Sequence, residues 1–398
     1  MRIFLHDYGG YAFTLQLAKA LAINGHTVCY AYSDSTQYVT RASGGDNINA
    51  LTYRGIKLSK PYQKYSFIQR YLSEIEHGRL VSQEIFDFHP DVVISANTPL
   101  DAQFLILRSS RRLKARFVYW FQDAISIAIQ NTLHQKLKLA GYLIGAFYQF
   151  LEGYILRSSD HVVLISQDFQ ELMNKWGVKQ EKIQIIPNWA PPNEIMPQAK
   201  QNTWAVEHDL ANQFCFLYTG ILGLKHDPKF FIQLANYFCT TENVRIVIVS
   251  QGGKAEELIE KTIAMNLPNL VVLPFQPNEV YAQVLGTADV LVSILNEDAG
   301  VYSVPSKVLT YLCAGRPLLL SIPFENAASR MVIQAEAGLV SPPGNMDLFL
   351  KNANKLFKNH DLRIQMGKNA RIYAEKKFDM DNILNQFETI IKQYESDS

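Results

Sequence analysis

Short apolar runs alternate with helix-like stretches along nearly the whole chain. Those of the first half are continuous and rich in β-branched or aromatic residues, which predicts parallel strands covered on both faces. They lie at residues 3–5, 27–32, 91–95, 116–121 and 161–166. After the first run and a glycine loop, Phe13, Leu17 and Leu21 repeat at helical spacing. The first half is therefore predicted to be a doubly wound α/β domain.

A proline-rich and polar segment at residues 187–203 interrupts this alternation, because its residues cannot continue a helix. Beyond it the pattern restarts as a second doubly wound sheet with intervening helices. Strands are predicted at residues 214–218, 245–249, 270–273, 290–294 and 318–322, and closing helices at 348–357, 362–376 and 380–394. We expect domains at 1–190 and 191–375, and a last helical segment, 376–398, that packs back on the first domain.

Composition narrows the class of protein. The 398 residues are too many for one ordinary core, and the near balance of 38 Lys and Arg against 37 Asp and Glu gives no reason to expect a nucleic-acid partner. The four cysteines (Cys29, Cys215, Cys239 and Cys313) form no C-x-x-C pair, which indicates buried thiols in a reducing compartment and no zinc site. The apolar run at 3–5 is too short for a secretory signal, so a cytoplasmic protein is expected.

The most informative stretch is Ser303-Val304-Pro305-Ser306-Lys307, followed by residues 311–317 and the apolar run at 318–322. Its order predicts a loop with hydroxyls and a lysine, a short helix opened by proline, a glycine stop and a buried strand. The start of such a helix presents free N–H groups and a partial positive charge to an anion. A nucleotide diphosphate is the expected ligand.

With its PSK sequence and its CAGRP segment, this stretch resembles the family 4 glycosyltransferases, in the branch that builds bacterial surface polysaccharides. The resemblance extends over essentially the whole chain. It implies the GT-B fold, with two doubly wound Rossmann-like domains facing across a cleft. It also implies a nucleotide-sugar donor, most simply a UDP-sugar, bound to the second domain.

The resemblance places the donor's phosphates at residues 218–225, where Gly220 and Gly223 let the backbone approach and Lys225 supplies a cation. Because the departing diphosphate gains negative charge, Lys225 is predicted to be catalytic. A tight turn with a solvated lysine is the alternative. The family resemblance adds further donor-binding candidates, namely Gly252, Phe275, Ser303, Ser306, Lys307, Glu325 and Asn326. The alternative roles are turn formation for Gly252 and core packing for Phe275. For Ser303, Ser306 and Lys307 the alternatives are a helix cap and a surface charge.

One departure from the family pattern concerns two glutamates that its second domain usually carries. Counted back from Gly315, their places hold Thr310 and Tyr302. Glu297 and Asp298 lie nearby and are candidates to replace them, although an exposed acidic loop fits them equally well. A catalytically degenerate scaffold that only binds a sugar nucleotide therefore stays open as an alternative.

The first domain is expected to hold the acceptor side. Gly9-Gly10 ahead of a helix resembles the family's N-terminal glycine pair, and a helix N-terminus can bind an oxyanion without any side chain. Asn97 and Asp123 follow predicted strands at the carboxyl edge of the sheet, and Asp123 is predicted to bind the acceptor or handle its proton. If the anomeric configuration is retained, as in the family, the leaving phosphate itself can take that proton. No metal or other cofactor is expected.

The stretch 139–151 is apolar nearly all round and too short to span a bilayer. Basic residues precede it in the same predicted domain, namely Arg108, Arg111, Arg112, Lys114, Arg116, Lys136 and Lys138. This combination predicts docking on an anionic membrane surface, where the enzyme would reach a lipid-linked saccharide. A buried helix beside a solvated basic cluster is the alternative.

These observations lead to one functional hypothesis, a retaining transferase that moves a hexose from a UDP-sugar to a saccharide or polyprenyl-linked acceptor. Glucose is the first candidate for that hexose. A two-dinucleotide oxidoreductase is the rival enzyme class, because a βαβ start with Asp34 after the second strand superficially suits a cofactor ribose. The loop after the first strand contradicts it, since it lacks G-x-G-x-x-G.

Overall fold

The computed structural model describes residues 1–34, 48–60, 67–223, 226–297 and 304–393. Its contacts divide the chain into two units. One comprises Met1–Asn188 together with Met380–Ser398, and the other comprises Trp189–Asp379. Each unit is built around its own parallel sheet.

The sheet of the first unit has the strand order β3-β2-β1-β4-β5-β6-β7 in the described residues, and all of its pairings are parallel. Its strands are β1 (Arg2–Asp7), β2 (Thr27–Ser33), β3 (Leu51–Ile56), β4 (Val92–Ala96), β5 (Arg116–Phe121), β6 (His161–Leu164) and β7 (Ile183–Ile185). The order reverses between β1 and β4, and parallel sheets bind ligands at the carboxyl edge of such a reversal.

Helices connect these strands. They are α1 (Ala12–Ile23), α2 (Phe67–Phe88), α3 (Leu100–Arg112), α4 (Ile125–Ser158) and α5 (Gln170–Lys175). The longest of them, α4, is two helices in sequence, because Lys138 has a left-handed φ of 47° that breaks the helical path. None of the described helices combines the length and the apolar character needed to cross a bilayer.

A helix from the far end of the sequence completes the first unit. Within α14 (Met380–Lys392), Phe387 is fully buried, with its ring centroid 4.9 Å from that of Trp120 on β5. Its neighbour Glu388 accepts hydrogen bonds of 2.7 Å from the Asn24 amide and from His26 Nε2. These contacts fix α14 beside α1 and the sheet.

The second unit repeats the architecture with the strand order β10-β9-β8-β11-β12-β13, again parallel throughout the described residues. Its strands are β8 (Phe214–Thr219), β9 (Val244–Val249), β10 (Leu270–Leu273), β11 (Val290–Ile294), β12 (Leu318–Ser321) and β13 (Gly338–Ser341). Its helices are α6 (Thr203–Glu207), α7 (Lys229–Tyr237), α8 (Gly253–Ala264), α9 (Tyr281–Thr287), α10 (Ser306–Cys313), α11 (Ala327–Gln334), α12 (Met346–Lys358) and α13 (His360–Lys377). The reversal lies between β8 and β11.

The cysteines are free thiols. Cys29, Cys215 and Cys313 are buried, as the sequence predicts, but Cys239 is exposed because it follows α7 in a surface turn.

Candidate active site

In the second unit, Lys307 lies at the carboxyl edge of the sheet beside the end of β8. It is the second residue of α10, and its Nζ donates a 2.5 Å hydrogen bond to Tyr218 Oη while lying 4.0 Å from the centroid of that ring. Tyr218 is fully buried on β8. A cation held on an aromatic face and a hydroxyl is fixed in position, unlike a solvated surface lysine.

Burial lowers the pKa of the Lys307 ammonium to about 7. The described structure gives this ammonium a hydroxyl and a ring as neighbours and no carboxylate ion pair. A desolvated cation of this kind gains from an anion that approaches it, because the anion restores the electrostatic stabilisation lost with water.

Helix α10 is fixed to the end of β8 by a second buried side chain. The Tyr311 hydroxyl accepts a 2.9 Å hydrogen bond from the backbone N–H of Thr219 and donates one of 3.2 Å to the Thr219 carbonyl oxygen. Together with Lys307–Tyr218, this contact holds the start of the helix against the strand end that leads into Gly220. The first residue of α10, Ser306, is exposed and makes no side-chain cap, and Pro305 occupies the N-cap position.

The backbone conformation at position 220 and the space around it require glycine. The φ of Gly220 is 128°, in the region that L-residues with side chains rarely adopt, and a Cβ there would lie 3.1 Å from Lys307 Cε. The predicted donor residues Gly220 and Lys307 are therefore neighbours. Gly223 follows, where its N–H donates to His226 Nδ1 at 3.1 Å. Lys225 lies outside the described residues, as do Ser303 and Asp298.

The other predicted donor residues are distributed along the same sheet edge. Gly252, with a φ of 96°, is the N-cap of α8, and Phe275 follows β10 with 37% of its surface exposed, so it is no core aromatic. Asn326 is buried and caps α11, accepting a 2.9 Å hydrogen bond from Ala328 N, whereas Glu325 beside it is exposed. Glu297 is exposed after β11. Of these, Asn326 has the structural role of a helix cap.

In the first unit, the buried carboxylate of Asp7 organises the loop at the sheet reversal. Oδ1 accepts hydrogen bonds from Gly9 N at 3.0 Å and Asn97 Nδ2 at 3.1 Å, and Oδ2 accepts from Tyr11 N at 2.6 Å and the Thr14 hydroxyl at 2.5 Å. Burial raises the pKa of Asp7 to about 6, and the hydrogen bonds from Thr14, Tyr11, Asn97 and Gly9 oppose that rise. The carboxylate therefore connects β1, the glycine loop, α1 and the residue after β4.

This arrangement changes the expected role of the acceptor-side residues. Since Asp7 already accepts from the N–H groups of Gly9 and Tyr11, these two amides are not open to an external oxyanion. Gly10 adopts the left-handed φ of 62° that the turn requires. Asn97, with a φ of 49°, faces Asp7, and Asp123 is exposed after β5 at the same carboxyl edge.

Sequence reasoning missed Asp7, Tyr218 and Tyr311. The tyrosines lie in apolar runs and look like core residues, and a polar hydroxyl inside such a run is the only signal that could have singled them out. Asp7 stands directly before Tyr8-Gly9-Gly10, where an acidic residue ahead of a helix start is a recognised sequence signal.

Family models match both parts of the chain. The Glycosyltransferase Family 4 model matches residues 9–194, and the Glycosyl transferases group 1 model matches residues 201–373. The chain belongs to the family 4 glycosyltransferases.

Among relatives of this glycosyltransferase, WcaI of Escherichia coli K12 carries a name that assigns it to colanic acid biosynthesis as a glycosyl transferase. The two are 24% identical over 239 residues, which is 58% of this chain and 57% of the relative. The match thus spans little more than half the length of that relative.

Solved structures show the same fold. Anabaena HepE, determined in complex with UDP-glucose, has a TM-score of 0.73 at 15% identity, with 99% of this chain and 100% of that chain covered. Sucrose-phosphate synthase from Thermosynechococcus elongatus has a TM-score of 0.76 at 15% identity, with 100% of each chain covered. Together with the two parallel sheets, they confirm the predicted GT-B fold of two Rossmann-like units. The family models confirm the predicted enzyme class, glycosyltransferase.

Proposed function

We propose that this glycosyltransferase moves a hexose from a UDP-sugar to a saccharide or lipid-linked saccharide acceptor in envelope or exopolysaccharide biosynthesis. Glucose is the first candidate for the hexose, and the transfer retains the anomeric configuration. Two comparisons support the choice of substrates. WcaI is named for the biosynthesis of a polysaccharide, colanic acid, and HepE was solved with UDP-glucose.

The observation that carries the proposal is the position of Lys307. The partly buried Lys307 ammonium, whose pKa is lowered, lies at the carboxyl edge of the second sheet and at the start of α10. Its neighbour there is Gly220, which has a positive φ. A diphosphate there would meet one cation and the N–H groups of a helix start, which are the groups that bind phosphate in α/β proteins.

The chemistry follows from charge. Breaking the bond between the sugar and the diphosphate leaves negative charge on the leaving group, so a fixed cation stabilises the transition state more than the ground state. In a retaining transfer the leaving phosphate oxygen accepts the proton of the attacking hydroxyl as the new glycosidic bond forms. This route needs no separate base and no metal ion. Lys225 is proposed as a second cation of the same kind.

Ligand titration tests the proposal. UDP and UDP-glucose are titrated by calorimetry into the wild type, Lys307→Met and a matched control, Lys351→Met, which removes an exposed lysine from α12. We expect Lys307→Met to weaken UDP binding at least about tenfold, since one charge-assisted contact of about 1.5–3 kcal/mol is lost. The control should bind like the wild type.

Release of UDP from UDP-glucose, followed by chromatography, supplies the catalytic readout without a known acceptor. A folded Lys307→Met protein that binds UDP within about twofold of the wild type would remove Lys307 from the site. The missing family glutamates at Thr310 and Tyr302 favour the scaffold alternative. UDP binding without any release from UDP-glucose, and without transfer to a saccharide, would support that alternative.

We also propose that the protein acts at the cytoplasmic face of an anionic membrane, where a lipid-linked acceptor is presented. The basic residues of α3 and the apolar second half of α4 support this location.

A further inference from the structure

The second half of α4 exposes its large apolar side chains. Seven of them are between 37% and 73% exposed, which are Leu139, Tyr142, Leu143, Ile144, Phe147, Phe150 and Tyr154. Their spacing of three, four and seven residues places them along one helical stripe, here named the α4 stripe. Large apolar residues at this density on a surface mark an interaction site, whereas single ones need no explanation.

The opposite face of the same helix packs inward, and three glycines lie on it beside the buried Leu151 and Ile155. Gly141, Gly145 and Gly153 are buried. A Cβ on Gly145 would lie 2.9 Å from the Cα of Gln130 in the first half of α4, so the two halves pack backbone to backbone there. Phe147 and Phe150 therefore lie on the outer face of this half of α4, whereas its glycines lie on the inner face.

The stripe contains no exposed charge. Between Leu139 and Tyr154 the sequence has one ionisable acid or base other than tyrosine, Glu152. That carboxylate is buried, and Oε2 accepts hydrogen bonds from the backbone N–H and the hydroxyl of Ser126 at the start of α4. Glu152 therefore connects the two halves of α4 and leaves the α4 stripe without a carboxylate or a cation.

Cations flank both ends of the α4 stripe. Lys138 is exposed directly before Leu139. At the other end, the Phe104 and Tyr154 rings are 6.1 Å apart, and the Arg108 guanidinium lies 5.8 Å from the Phe104 centroid. Arg111 donates to the carbonyl oxygen of Ser158, which places a second guanidinium at the end of α4.

From these contacts we infer that the α4 stripe inserts into the interfacial layer of an anionic bilayer, with the helix lying in the membrane plane and its flanking cations on the headgroups. The inference deepens the proposed function, on which it rests for the lipid-linked acceptor. From Leu139 to Tyr154 the helix rises about 22 Å, so it offers a long contact in the plane. Pairing with a second copy is disfavoured, because either orientation of two such helices brings positive ends close to positive ends.

Vesicle co-sedimentation of the full chain tests the inference. The variant Phe147→Ser with Phe150→Ser removes two exposed rings, and the matched control, Ile263→Ser with Ile372→Ser, removes two exposed apolar residues from the second unit. With vesicles of phosphatidylcholine and phosphatidylglycerol, we expect the first variant to partition at least about tenfold less than the wild type and the control to partition equally. A second variant, Arg108→Glu with Lys138→Glu, should reduce binding to these vesicles and leave weak binding to pure phosphatidylcholine unchanged.

Fluorescence locates the helix independently. All four tryptophans are at most 9% exposed, so Phe147→Trp adds one solvent-exposed reporter, which should shift to the blue on vesicles and be quenched by brominated lipids. Unchanged sedimentation of the serine variant, or a reporter that stays in water, would overturn the inference. So would a stable dimer in solution that the serine variant abolishes.

UDP titration separates this inference from the proposed function. The serine variant should bind UDP like the wild type, since the α4 stripe lies in the first unit and the donor residues in the second. A wild type that binds vesicles but no UDP would refute the proposed transfer from a UDP-sugar and would still support membrane docking by the α4 stripe.

Discussion

At the scale of single residues, the unusual pKa of Lys307 makes a prediction about pH. The free ammonium, with its pKa lowered to about 7 by burial, is mostly neutral above that pH. A bound diphosphate favours the charged form and raises this pKa, so UDP binding at about pH 8 should take up close to one proton. UDP affinity should accordingly fall as the pH rises from about 7.5 to 9, by at most tenfold per unit.

Calorimetry in two buffers with different ionisation enthalpies measures that proton. The chosen range lies above the second phosphate pKa of about 6, so the ligand itself contributes little. Lys307→Met should abolish the uptake, and Lys351→Met should keep it. Equal uptake in the wild type and Lys307→Met would assign the proton to another group.

The raised pKa of Asp7 leads to a prediction about how the stability of the fold depends on pH. Because burial raises its folded-state pKa from 3.8 to about 6, folding takes up a proton between these values. Asp7 therefore stabilises the fold most at low pH, and this contribution is lost as the pH rises through 6. Between about pH 5 and 7.5 the wild type should lose about 1–2 kcal/mol of unfolding free energy that Asp7→Asn does not lose.

Urea unfolding at both pH values checks this. The exchange Asp361→Asn on α13 serves as the control, because that side chain is fully exposed, and it should keep the pH dependence of the wild type. A parallel pH dependence in wild type and Asp7→Asn would show that Asp7 does not hold a raised pKa.

The sequence predicts that Gly220 and Lys307 belong to one candidate site, but it does not predict which side chains contact them. Gly220 and Lys307 are singled out by glycine and lysine in a recognisable stretch, and the structure places them side by side. Their contacts with Tyr218 and the support from Tyr311 arise from folding, because β8 and α10 are far apart in the chain. No local pattern encodes such a pair.

At the scale of elements, strands with continuous apolar runs are predicted well, since burial on both faces leaves a strong signal. The edge strands β3, β7 and β13 are missed because they are partly exposed and carry glycine or polar residues. The pattern of residues 139–151 in α4 is misleading in a different way, since this stretch is apolar nearly all round although only one of its faces is buried. The alternative of a wholly buried helix is wrong, because seven large side chains of its second half are exposed.

Close packing within α4 makes a prediction at this scale. Gly145→Ala should destabilise the protein by about 1–3 kcal/mol although alanine is the better helix former, because the added Cβ meets the Gln130 backbone. Gly253→Ala at the start of α8 is the matched control, since nothing lies within 4 Å of its Cβ position. It should be neutral or stabilise by up to about 1 kcal/mol. Chemical denaturation measures both, and a neutral Gly145→Ala would show that the two halves of α4 are not in backbone contact.

At the scale of the whole molecule, the order of the helices along the chain does not determine the unit to which each helix belongs. Helix α14 is the last described helix, yet its contacts are with Asn24, His26 and Trp120 of the first unit. Helix α13, which directly precedes it, belongs to the second unit, where Arg371 donates to the carbonyl oxygens of Ile195 and Cys313. The chain thus passes from one folding unit to the other near Asp379.

This membership predicts where two similar substitutions act. Phe387→Ala on α14 and Phe349→Ala on α12 each remove a ring with no exposed surface, and each should cost about 3–5 kcal/mol. Hydrogen exchange followed by mass spectrometry should show that Phe387→Ala deprotects α1 and β5, more than 250 residues earlier in the sequence, and leaves β8 and β9 protected. Phe349→Ala should do the reverse, since Phe349 belongs to the core of the second sheet. Each variant is thereby the control of the other, and deprotection of β8 and β9 by Phe387→Ala alone would contradict the assignment of α14 to the first unit.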